Sequence, residues 1–202
     1  PDGSFVDVGR STGADTLDGT IQTMAWGGIF VDFDNDGLLD VAVAEGDLWH
    51  EFSTNPYVAD MPLNMVRQVE SEQFEIANEH GFGQMGSWRS IVSVDLNKDG
   101  VLDFIVGDVQ SRPMLLLSEG CTANGWLEVV APHGSRVEID VEGSTRVGWA
   151  NSASSFGAVR SPSVHFGLGS RETIDAVRIQ IPNGEIISMT ESISARRTIS
   201  VN

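Results

Sequence analysis

The chain has 202 residues, 41% of them hydrophobic, which is enough for one or two domains with a sizeable core. Its formal net charge of −17 and its single lysine, Lys98, argue against a nucleic-acid partner, whose phosphates demand a basic face. No apolar run approaches the roughly 20 residues of a membrane span, and the lone cysteine, Cys121, excludes an internal disulfide and reads as a linker or packing thiol.

In chain order the first apolar segments are Phe5-Val6-Asp7-Val8 and Ile29-Phe30-Val31. An acidic loop, Asp32-Phe33-Asp34-Asn35-Asp36-Gly37-Leu38-Leu39-Asp40, then leads into Val41-Ala42-Val43. A second copy, Asp95-Leu96-Asn97-Lys98-Asp99-Gly100-Val101-Leu102-Asp103, lies 63 residues on, between Ile91-Val92-Ser93-Val94 and Phe104-Ile105-Val106. Both read D-x-[DN]-x-D-G-x-x-D. Oxygen side chains at every second position can converge on one hard cation, and the glycine lets the backbone turn sharply beneath it. The β-branched and apolar flanks predict strands on both sides. An EF-hand is excluded, because it needs flanking helices and a Glu at the twelfth position, where Val43 and Val106 stand.

The expected side-chain ligands are Asp32, Asp34, Asp36 and Asp40 at one site and Asp95, Asn97, Asp99 and Asp103 at the other. The carbonyls of Leu38 and Val101 are expected to complete the two shells. Ca²⁺ suits such a loop better than Mg²⁺, which keeps its waters. The bland alternative is an acidic turn that binds nothing, since Asp, Asn and Gly are common turn formers. Two copies with matching flanks weigh against it, as does the mutual repulsion of four carboxylates in the first.

The repeat extends beyond the loops. Met24-Ala25-Trp26 echoes Met85-Gly86-Ser87-Trp88, and Phe5-Val6-Asp7-Val8 echoes Phe74-Glu75-Ile76-Ala77. The strand–loop–strand unit resembles the FG-GAP/VCBS repeat, a blade of calcium-binding β-propellers, over residues 1–118. Asn64-Met65-Val66-Arg67 is similar to that family's inter-blade segment. The resemblance implies four-stranded blades with Ca²⁺ between two strands of each. Closure takes at least about four blades, so the missing ones are expected upstream, or from a partner or neighbouring subunit.

Composition changes near residue 120. Residues 1–120 hold 21 acids and 5 bases, whereas residues 121–202 hold 8 acids and 7 arginines. Residues 119–125 read as a linker. The alternating runs Trp126–Val130, Arg136–Val141, Ala176–Ile181 and Ile186–Met189 predict strands, with turns at Glu142-Gly143-Ser144 and Pro182-Asn183-Gly184-Glu185. The fold expectation is therefore all-β: partial propeller blades, then a small antiparallel sandwich-like domain over residues 126–202. Trp126-Leu127, Ser163-Val164-His165-Phe166-Gly167-Leu168-Gly169 and Ile181-Pro182-Asn183-Gly184 make this half similar to the ASPIC/UnbV domain. That domain follows FG-GAP/VCBS repeats in acidic secreted cartilage proteins and bacterial extracellular proteins.

Enzyme signatures are thin: no G-x-S-x-G, H-E-x-x-H or P-loop is present, and His50, His80, His133 and His165 show no metal spacing. No catalytic residue is expected. The functional expectation is a secreted or cell-surface, non-catalytic adhesion or scaffolding protein with two Ca²⁺ sites and a protein or matrix partner. A carbohydrate-binding module, with Trp49, Tyr57 or Trp149 stacking on sugar, is the alternative. A subunit of a surface filament is another. Segment 46–63 is the candidate partner-binding loop.

Overall fold

The computed structural model describes residues 3–15, 24–46, 60–118 and 123–201, and among these the chain is nearly all β. Ala25–Val31 (β1) and Asp40–Glu45 (β2) pair antiparallel, with Ile29 opposite Ala42 and Val31 opposite Asp40. The first acidic loop joins them. Period-two alternation decides which residues enter the core: Gly27, Ile29 and Val31 are buried while Phe30 faces out. Met61–Glu70 (β3) and Gln73–Ile76 (β4) continue the sheet in chain order, so β1 to β4 form an antiparallel meander. Met85–Gly86 (β5) pairs with the start of β3.

A second meander repeats the plan. Trp88–Val94 (β6), Asp103–Asp108 (β7) and Met114–Leu116 (β8) pair in order, with the second acidic loop between β6 and β7. The two meanders share one core, in which Ile29, Leu63, Met65, Trp88, Ile91 and Phe104 meet. Phe82 packs edge-on against Phe104 at 5.2 Å within it.

The rest of the chain forms Gly125–Val130 (β9), Ser135–Val141 (β10), Ser144–Ala153 (β11), Val159–Gly169 (β12), Thr173–Ile174 (β13), Ala176–Gln180 (β14), Ile186–Met189 (β15), Ile193–Ser194 (β16) and Arg197–Ser200 (β17). Seven of these make one sheet in the order β15-β14-β10-β11-β12-β9-β17, and only β17 runs parallel to its neighbour. The sandwich-like packing arises from this single curled sheet. Leu127, Val137, Ile139, Leu168 and Ile179 cluster on its inner face, joined by Ile174 and Ile193 of the β13–β16 ribbon. Glu142 and Gly143 both have positive φ (49° and 76°), the signature of the tight turn expected there.

Two segments differ from expectation. Phe5–Val8 forms no strand; a one-turn helix, Gly9–Thr12 (α1), follows it, and Phe5 and Val6 are exposed. Asn64–Arg67 is not an inter-blade connection but the middle of β3, where Asn64 Oδ1 accepts from Asn78 Nδ2 and so satisfies a buried amide. Trp49, His50, Tyr57, Cys121 and most of segments 46–63 and 119–125 lie outside the described residues.

Candidate metal centre and its cover

The two loops share a backbone as well as a motif. Position four is left-handed in both, at Asn35 (φ 60°) and Lys98 (φ 62°), as is the glycine at position six (95° and 86°). The first Asp of each loop accepts the glycine N–H at 2.9 Å, Asp32 from Gly37 and Asp95 from Gly100. The last Asp is a staple. Asp40 accepts from Phe33 N–H (3.1 Å) and from Gln68 N–H on β3 (2.8 Å). Asp103 accepts from Leu96 N–H and Ser118 N–H, both at 2.8 Å. Each ninth-position carboxylate thus ties its loop to the strand or segment that follows.

Charge and burial separate the loops. Oxygens of Asp32, Asp34 and Asp40 lie within 4.8 Å of one another, the one such acidic group found among the described residues. Asp32 is only 5% exposed, and its Oδ1 has no hydrogen-bond partner. Burial first, and then the charges of Asp36, Asp40 and Asp34, push its carboxyl up to about 8. Burial also lifts Asp40 to about 7, against the two N–H groups that hold it down. Asp36 is raised as well, mainly by burial. An orphaned oxygen inside a buried cluster of hard donors fits a hard divalent cation. Arg67 Nε, 3.1 Å from Asp34 Oδ2, offsets part of the charge. In the second loop Asn97 and Asp99 are exposed, and Asn97 Nδ2 donates to Asp99 Oδ2 at 2.8 Å. Burial raises Asp95 there.

The first loop is covered by β12. Gly169 N–H donates to the Asn35 carbonyl at 2.8 Å. Asn35, fully buried, donates through Nδ2 to the Gly100 carbonyl (2.8 Å), which leaves its Oδ1 to meet His165 Nε2 at 2.6 Å. That contact requires the His165 proton on Nε2. Burial of the ring, and then Arg160, holds the His165 pKa down to about 4, so it is a neutral donor and not a poised base. The imidazole stacks on Trp126 at 6.0 Å. A Cβ on Gly167 would stand 2.0 Å from Asp32 Oδ2, so only glycine admits this approach. Arg146 donates to the Gly167 carbonyl with its guanidinium against Gly37, and Asn124 Nδ2 donates to the Asp34 carbonyl at 3.0 Å. The second loop meets the same domain where Gly100 packs under the Trp126 indole.

Residues 131–202 match the family model described as ASPIC and UnbV. No curated protein matches the chain. The ASPIC/UnbV match begins directly after β9, which pairs with β12 and carries Trp126 in the same sheet. The His165-x-Gly167-x-Gly169 run and Arg146, both inside it, touch the first loop.

Trp88 is buried in the shared core. Trp26 instead packs against the ASPIC/UnbV region, 5.4 Å from the Phe156 ring, with the Arg89 guanidinium over its own ring at 4.6 Å. Sequence reading assigned no contact to Asn35, Arg67, Arg146 or Asn124. None of them holds a ligand position of the loop motif, and their partners lie as far as 130 residues away.

Proposed function

We propose that this is an extracellular, calcium-dependent, non-catalytic binding or scaffolding protein, built from FG-GAP/VCBS-like repeats followed by an ASPIC/UnbV domain. The observation that carries the reading is the buried, unpartnered Asp32 Oδ1 in a three-carboxylate cluster, on a loop whose motif and backbone occur twice. The meander order β1-β2-β3-β4 supports the blade reading. Asp32, Asp34, Asp36, Asp40 and the Leu38 carbonyl would hold the first ion; Asp95, Asn97, Asp99, Asp103 and the Val101 carbonyl would hold the second. A bound Ca²⁺ supplies the positive charge against which these oxygens pack. Asp40 and Asp103 then fix each loop to its sheet, so that ligand geometry and fold are one arrangement. At a hundredfold excess over Kd each site stabilises the native state by about 2.7 kcal/mol. Millimolar external Ca²⁺ fills even sites of about 10⁻⁴ M, which favours secretion or surface display.

Calorimetric titration of the full chain with CaCl₂ should give two ions per chain. Thermal unfolding should show a drop in Tm with EDTA that Mg²⁺ does not restore. Absence of both binding and shift would sink the reading.

One observation favours the carbohydrate alternative. Trp149, 54% exposed, lines a cleft of about 610 Å³ with Phe30, Leu39, Arg146 and Arg160. If sugar stacks there, Trp149→Ala abolishes glycan-array binding at unchanged Tm; a silent array for the intact protein rejects it.

A further inference from the structure

We infer that β12 together with Trp126 senses the first loop: docking of the ASPIC/UnbV region and cation binding at Asp32, Asp34, Asp36 and Asp40 form one coupled equilibrium. The inference rests on the calcium reading above and names the partner of that site, which is the chain's own C-terminal region.

The argument begins with what docking buries. Gly167 brings backbone against Asp32 Oδ2, and Gly169 N–H and His165 Nε2 both close on Asn35, inside the same loop. Docking therefore takes Asp32 out of water while one of its oxygens has no partner. Without a cation this burial is unfavourable, because a desolvated carboxylate faces Asp34 and Asp40 across less than 4.8 Å. With a cation the same burial strengthens the attraction, because water no longer screens it. Binding and docking therefore favour each other, and by linkage each raises the other by the same factor.

The geometry also fixes which loop dominates. Asn35 is the bridge, since its backbone and side chain reach Gly169, His165 and Gly100 at once. The second loop touches the region through Gly100 and Trp126, while its Asn97 and Asp99 remain exposed. Coupling is thus strong at the first site and weak at the second.

The test uses the full chain, CaCl₂ calorimetry and amide hydrogen exchange at Gly169, whose N–H donates across the interface. Two variants are compared with wild type. Gly167→Ala inserts a methyl group into the contact. Asn35→Gly deletes both side-chain hydrogen bonds but keeps the left-handed backbone at a position that is not a ligand. In wild type, Gly169 exchange should slow at least tenfold when Ca²⁺ replaces EDTA. In both variants one of the two Ca²⁺ affinities should fall at least tenfold while the other holds. Two unchanged affinities in Asn35→Gly, or Gly169 exchange indifferent to Ca²⁺, each overturns the coupling and leaves the calcium reading standing. A wild type that binds no Ca²⁺ overturns both. Should Gly167→Ala not fold, Asn35→Gly and the wild-type exchange decide the matter.

Discussion

Asp32→Asn should change stability in opposite directions with and without Ca²⁺. In EDTA the wild-type loop buries Asp32 with an unpartnered oxygen among three other carboxylates. Asparagine keeps the shape and removes the charge. An uncompensated buried polar or charged group costs about 1–3 kcal/mol or more, and a chain of this size gains about 2–4 °C in Tm per kcal/mol. The variant should therefore melt several degrees above wild type in EDTA at pH 8. In saturating Ca²⁺ it loses a ligand charge, and with it up to about 2.7 kcal/mol of linkage at a hundredfold excess over Kd. Set against a gain near the lower end of that range, this leaves the variant up to roughly 3–7 °C below wild type. An advantage over wild type that is no smaller in Ca²⁺ than in EDTA would mean that Asp32 is not at a cation site.

The pH dependence follows with its own sign. Asp32 and Asp40 are raised to about 8 and about 7, well above the ordinary unfolded value near 4. Folding without metal then favours the protonated forms. Their stabilising contribution is full below about pH 4 and is lost as pH rises through 7 to 8. In EDTA the wild type should gain Tm on acidification from pH 9 to pH 6, and Asp32→Asn should flatten that slope. With Ca²⁺ the trend reverses, since protons compete with the cation for the same oxygens.

Strands with clean alternation were legible in the sequence. Ile29–Val31 and Arg136–Val141 lie within observed strands in which alternate residues are buried, and Ile186–Met189 coincides with β15, whose Ile187 and Met189 are partly buried against the core. β3 was missed for the converse reason. Met61, Leu63, Asn64, Met65 and Val66 are all buried, so no alternation appears, and Pro62 and Asn64 read as loop residues. β11 was missed because it is largely exposed and holds Gly148, which interrupts the pattern. The loops were legible because their donors are contiguous. Their cover was not: Asn35 meets His165 across 130 residues, and nothing in the spacing of either segment records the contact. What the sequence does hold is the pair of small residues, Gly167 and Gly169, in a strand that would be stronger without them. Close approach of another backbone is the physical reason for both.

Close approach also makes Gly100→Ala the most damaging glycine substitution expected in the repeat region. The new Cβ would stand 1.8 Å from Trp126 Nε1, and the indole is buried and stacked on His165, so it cannot swing aside without breaking the interface. The residue also needs φ +86°, which costs a non-glycine about 1–2 kcal/mol. Overpacking adds about 1–3 kcal/mol. Gly184→Ala isolates the first contribution: Gly184 has φ +93° but nothing within 4 Å of its added Cβ. Gly184→Ala should therefore lower Tm by about 2–8 °C, and Gly100→Ala by roughly twice that or more. The excess measures how firmly Trp126 is seated on the second loop, because strain at the glycine is common to both variants. Equal shifts would mean that Trp126 does not rest on Gly100 in solution. The C-terminal region would then be held to the loops through the first one, at Asp32, Asp34, Asn35 and Gly37.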